Sequence, residues 1–190
     1  MYNVAGITWR SRGYLPHFDV IGAQQHVIFN LAGALDDVLL SGDASERRRA
    51  YDTGLDRSLG DCLLSNPVCA GIVQDELLRL DGERYRLLAW CVMPNHVHVV
   101  MEPILDLAGT VRRWKSWTAR EINLALGREG VLWQREYFDR FARNERHLHT
   151  MVQYVEANPV AAGLVASPVD WSWSSAAHRS FAGQGPGAPG

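Results

Sequence analysis

At 190 residues, 47% apolar and 21% charged, the chain can bury one substantial core but is too short for two large domains. A net charge of -2 excludes a uniformly basic protein, and three cysteines without a Cys-x-x-Cys pair argue against both a disulfide framework and a thiolate zinc site. No apolar run approaches the ~20 residues of a membrane span, and the first residues carry no charged-then-apolar leader, so a soluble cytoplasmic protein is expected.

Residues 1–24 read as an N-terminal arm, containing Arg10, Arg12 and a turn-like Tyr14-Leu15-Pro16-His17. The segment from Gln25 to Leu31 alternates as a strand does, and His26 within it reads as structural rather than as a ligand. From Gly33 to Gly60 the chain is acidic and punctuated by glycine, with a short helix expected to open at Glu46-Arg47-Arg48-Arg49. Ser65-Asn66-Pro67 is a helix start, and apolar residues at helical spacing follow to Asp81-Gly82.

Residues 85–92 form a second strand, apolar from Leu87 onward as a central strand covered on both faces would be. Across a Met93-Pro94-Asn95 turn, residues 96–102 form a third strand, antiparallel to it. A helix is predicted over 107–126, closed by Gly127. Part of the aromatic and basic segment 133–143 supplies a fourth strand. A last helix runs from about Asn144 and is expected to stop at Asn158-Pro159, since the residue before proline disfavours helical geometry. The glycine- and proline-rich residues from Phe181, within a tail at 177–190, have the composition of disorder. The order implies an α+β fold of the ferredoxin-like, split βαβ kind over 25–176. Its four-stranded antiparallel sheet carries helices on one face, plus a C-terminal helix carrying Tyr154.

Two constellations carry chemistry. Alternation puts His96 and His98 on one side of their strand, with Val97 and Val99 on the other. Paired imidazoles on a rigid strand can share a metal ion; the plainer reading is two polar residues on a solvated face. Tyr154 and Asn158, four apart, share a helix face. There a nucleophile could be delivered together with an amide oxygen suited to magnesium or manganese. Alternatively, Tyr154 packs by its ring and Asn158 merely ends the helix. Basic residues cluster from Arg112 to Arg146, where Lys115 is the one lysine of the chain. Arginine forks suit phosphates, and the interleaved Trp114, Trp117, Trp133 and Tyr137 could stack on unpaired bases, although at least half of these aromatics should be core.

Met93-Pro94-Asn95-His96-Val97-His98, followed by Tyr154-Val155-Glu156-Ala157-Asn158-Pro159, resembles the REP-associated tyrosine transposases. These are one-tyrosine members of the HUH group of single-strand transposases. The resemblance extends from Arg12-Gly13-Tyr14 through Trp114-Lys115-Ser116-Trp117 and Trp133-Gln134-Arg135 to Trp171-Ser172-Trp173-Ser174-Ser175. One place departs: Ala161-Ala162 falls where many relatives carry a basic residue.

The resemblance implies a metal-dependent endonuclease and strand transferase acting on single-stranded DNA that folds into palindromic hairpins, through a 5′-phosphotyrosine. Tyr154 would be the nucleophile, and His96, His98 and Asn158 would hold Mg2+ or Mn2+. Arg10, Arg12, Arg112, Arg113, Lys115, Arg120, Gln134, Arg135, Arg140 and Arg143 would contact DNA. A monomer is favoured over a homodimer. Alternatives are a catalytically lapsed hairpin-binding protein and an HUH replication or mobilisation initiator. A histidine-triad hydrolase needs a third alternating histidine where Val100 stands.

Overall fold

A computed structural model describes residues 9–11, 16–18, 20–33 and 61–182. Strands β1 (Trp9–Ser11) and β2 (Pro16–Phe18) pair as a small antiparallel hairpin, so Pro16 and His17 of the expected turn lie in a strand, while Tyr14 and Leu15 lie outside the described residues. The main elements are β3 (Gln25–Asn30), α1 (Pro67–Arg79), β4 (Tyr85–Val92), β5 (His96–Pro103), α2 (Leu107–Leu126), β6 (Phe138–Phe141), α3 (Glu145–Ala161) and α4 (Ser175–Ala182). The sheet order is β4-β5-β3-β6 with every neighbouring pair antiparallel. Strands β3 and β4 therefore run parallel with β5 inserted between them, which is the expected split βαβ layout. The helix expected near Glu46 lies outside the described residues, as do Arg12 and residues 183–190.

The helix ends follow local chemistry. Asn66 caps α1 by accepting from the Val68 amide, with Pro67 at the first position, where its missing N–H costs nothing. Asp106 caps α2 through Gly109, and Asn144 caps α3 through His147. Gly127, at φ 61°, supplies the left-handed residue that ends α2.

Three expectations need correction. Helix α3 does not stop at Asn158 but continues through buried Pro159 to Ala161. Proline there removes one hydrogen bond. The Ala162 and Leu164 amides still satisfy the Asn158 and Pro159 carbonyls, and Gly163 at φ 70° closes the turn. Strand β4 is an edge strand rather than a central one. It reads as covered because Trp171 to Ser175 run along its free edge: the Val92 amide donates to the Trp173 carbonyl and Cys91 bridges Ser174. That segment leads into α4, so the folded domain extends past 176, through the first residues of the expected tail.

The sheet has two different faces. On one, Val27, Phe29, Val97, Val99 and Met101 pack under α1 and α2, joined by Trp114, Trp133 and Tyr137. Those three aromatics are buried and Trp117 is half-buried, so most of the interleaved aromatics are core. Their polar atoms are paired inward: Trp114 Nε1 donates to the Tyr85 hydroxyl, and Trp133 Nε1 to Thr118 Oγ1. On the other face, Ala89, Cys91, Met93 and Val100 pack against Met151 and Val155 of α3. Among the described residues, no helix is long and apolar enough to cross a membrane.

Candidate active site

Strand β5 starts where the Met93-Pro94-Asn95 turn closes, with the Met93 amide donating to the His96 carbonyl. His96 then lies opposite Asn30, and His98 opposite Ile28 on one side and Cys91 on the other. Both imidazoles point to the face covered by α3, and both are fully buried. They are therefore not polar residues on a solvated sheet.

Their nitrogens converge. His96 Nε2 and His98 Nε2 are 2.9 Å apart. His96 Nδ1 lies 2.6 Å from Asn95 Oδ1, which can only accept, so the proton of a neutral His96 sits on Nδ1 and its Nε2 carries a lone pair. Burial, and then the neighbouring His98 and His26 rings, hold the His96 pKa well below its usual 6.5, so the ring is neutral at pH 7.

From α3, the Asn158 amide nitrogen reaches His98 Nε2 at 3.2 Å, while Asn158 Oδ1 is buried with no hydrogen-bond partner. The two ends of an amide are nearly isosteric, so the same space accepts the orientation that turns Oδ1 towards the imidazoles. Two imidazole nitrogens and an orphaned amide oxygen form a donor set that fits a divalent cation. Histidine, cysteine and acidic side chains alone supply no three-ligand cluster among the described residues.

Tyr154 stands over this group, its ring edge-on to His98 at 5.9 Å between centroids and to His26 at 6.0 Å. It is half-buried on the inner side of α3. The other described tyrosines are committed to the opposite face. Tyr85 is fully buried, donates its hydroxyl to the Leu77 carbonyl at 2.6 Å, and has its pKa pushed up by burial. Tyr137 is buried beneath the Lys115 ammonium, 5.6 Å from its ring centre.

The expected DNA-contact residues are divided by the sheet. Arg112, Arg113, Lys115 and Arg120 lie on α2, on the face away from Tyr154. Arg112 and Arg120 are exposed, and Arg113 pairs with buried Glu76 at 3.2 Å. Lys115 is half-buried, its pKa pushed down to about 8 by that burial, and it donates to the carbonyls of Gln134, Arg135 and Glu136. All three ammonium hydrogens are thus engaged in holding that loop. Between α2 and the loop lies a cleft of about 420 Å³, lined by Arg112, Lys115, Trp133, Gln134, Arg135 and Tyr137, well apart from the histidines. Arg140 differs from the others. It lies directly opposite His26 on β6, which puts it on the histidine face. Arg143 is exposed just before α3, and Arg10 lies in β1 opposite His17.

Sequence reasoning passed over two site residues. Asn95 was legible in the turn motif, but its bond to His96 was not. His26, read as a structural residue of the first strand, contacts both His98 and Tyr154. Only the register of β3 against β5 could reveal that.

The transposase IS200-like family model matches residues 79–158, a span that holds both histidines, Tyr154 and Asn158. A Haemophilus influenzae protein named as a REP-associated tyrosine transposase is 28% identical over 103 residues, 48% of this chain and 58% of that protein. The chain therefore matches little more than half the length of that relative. A solved structure of a REP-associated tyrosine transposase bound to a REP hairpin shares the fold. Its TM-score is 0.60 at 20% identity, over 95% of this chain and 89% of that one. Over residues 79–158 the chain is thus similar to the IS200-like transposases, and it shares its fold with the solved REP-associated tyrosine transposase.

Proposed function

We propose that this protein cleaves and rejoins single-stranded DNA beside hairpin-forming repeats, with Tyr154 as nucleophile and His96, His98 and Asn158 as ligands of a divalent metal. The observation that carries the reading is the convergence of His96 Nε2, His98 Nε2 and the Asn158 amide beneath the Tyr154 ring. The hairpin substrate is inferred from the related transposase, whose solved structure holds a REP hairpin.

Tyr154 Oη attacks a backbone phosphorus, forming the phosphotyrosine P–O bond as the P–O3′ bond breaks. The phenolic proton passes to solvent, and the departing oxygen takes up a proton to become a 3′-hydroxyl. An ordinary tyrosine with a pKa of ~10 is a weak nucleophile at neutral pH. Magnesium or manganese at the histidines would supply Lewis-acid stabilisation of the phosphoryl oxygens. The chain's own part is positional. Strand β5 and helix α3 hold Tyr154 and the ligands at fixed spacing, and the apolar residues around them limit water access. Because the covalent link conserves the energy of the phosphodiester, a second 3′-hydroxyl can reverse the step. A tyrosine therefore suits strand transfer better than digestion.

The test is a labelled hairpin oligonucleotide with a single-stranded flank, incubated with Mg2+ and run on a denaturing gel. The wild type should form a covalent adduct whose label maps to the Tyr154 peptide. Tyr154→Phe, which keeps the ring packing, should bind the hairpin and form none. Asn158→Ala should still form adduct, but only at raised metal concentration. An adduct on Tyr137, or one surviving in Tyr154→Phe, overturns the assignment.

A further inference from the structure

We propose that His26 is a positioning residue that fixes the tautomer of His98, so that Nε2 of His98 stays available as a ligand; this rests on reading His96 and His98 as the metal pair. His26 Nε2 lies 3.0 Å from His98 Nδ1, and the two rings stack at 5.2 Å with their planes 26° apart. Both side chains are buried, so water does not substitute for the partner. A neutral imidazole carries one proton, and whichever nitrogen holds it decides what the other can do. If His26 accepts from His98 Nδ1–H, His98 Nε2 presents a lone pair.

The alternative is self-blocking. With its proton on Nε2, His98 would donate to His96 Nε2, 2.9 Å away, and that single hydrogen bond would consume both ligand lone pairs. Asn158 reaches the same nitrogen, its amide lying 3.2 Å from His98 Nε2. Histidines that bind metals usually have their far nitrogen held by a hydrogen-bond partner, and loss of such a partner typically weakens metal affinity about 10–100-fold. His26 occupies that place, and it also forms the wall against which the edge of the Tyr154 ring rests.

The full chain, labelled with 15N in its imidazoles, would be examined by long-range proton–nitrogen correlation without metal and with Mg2+. Mn2+ affinity would be measured in parallel by electron paramagnetic resonance. His98 should appear as the Nδ1–H tautomer in the wild type. His26→Leu should move its proton to Nε2, wholly or in part, and weaken Mn2+ binding about 10–100-fold. His26→Gln offers a carbonyl acceptor and should restore both. The inference is overturned if wild-type His98 carries its proton on Nε2, or if folded His26→Leu keeps the wild-type tautomer and affinity. Equal damage from His26→Gln and His26→Leu also overturns it, because shape and not an acceptor would then matter. Should His26→Leu fail to fold, the wild-type tautomer and His26→Gln decide. A His98 tautomer that follows His26 in a protein that forms no phosphotyrosine would defeat the proposed function and leave this inference standing.

Discussion

His96 shows how burial keeps an imidazole neutral. A histidine in water near neutral pH is shared between two protonation states, and only the neutral one offers a lone pair. Here burial comes first, and the neighbouring imidazoles add to it. The consequence for stability has a definite sign. As pH falls below about 6.5 the unfolded chain takes up a proton at this position while the buried ring resists, so the unfolded state binds more protons and stability drops. Urea midpoints measured without metal should therefore fall between pH 7 and 5, and His96→Asn should flatten part of that slope. An unchanged slope in the variant would place the proton uptake elsewhere.

Among the elements, two contacts hold pieces in place that their own sequences would leave loose. The Trp171 to Ser175 segment ties the β4 edge to α3. Ser175 Oγ donates to Glu156 Oε1 at 2.6 Å and accepts from the Trp90 amide at 3.2 Å, while Arg179 forms an ion pair with the same glutamate. Glu156 is two residues from Asn158, so this clasp steadies the helix that carries Tyr154 and Asn158. Ser175→Ala should lower unfolding free energy by about 1–3 kcal/mol, the cost of stranding a buried amide, as read by urea denaturation. Lys115 does a similar job for the loop at 134–136. Its three donated hydrogen bonds lie between that loop and α2. Lys115→Met keeps the apolar stem, so a loss of about 2–3 kcal/mol with faster amide exchange in the loop would measure the ammonium alone.

Across the whole molecule the sheet separates two basic regions. Arg112 and Arg120 are exposed on α2, on the other side of the sheet, whereas Arg140 shares the histidine face. If DNA follows both regions, their roles should separate. Arg112→Ala and Arg120→Ala should each reduce the salt dependence of hairpin binding by about one unit of slope and leave adduct formation at saturating DNA unchanged. Arg140→Ala should slow adduct formation itself, with less effect on affinity. A flat salt response in the wild type would remove the counterion-release basis for this division. Equal wild-type affinity for a perfect duplex and a hairpin would remove the single-strand preference.

What was legible in the residues was local. Strand alternation set His96 and His98 on one side, Asn66, Asp106 and Gly127 marked helix ends, and the four-residue step joined Tyr154 to Asn158. Each depends on contacts within a turn or two of chain, so each survives without knowledge of the rest. The sheet order also followed, because the alternation of strands and helices admits few layouts. Pro159 went the other way. Its neighbour's preference against helix is weak, and packing of α3 on the sheet overrides it. The edge position of β4, the burial of Lys115 and the placing of His26 beside His98 were decided by segments far apart in sequence. A single-residue slip of β3 would turn His26 to the opposite face, and no local preference forbids that slip. Only the closed core, with Val27 and Phe29 under α2, sets the register that brings the third histidine to the site.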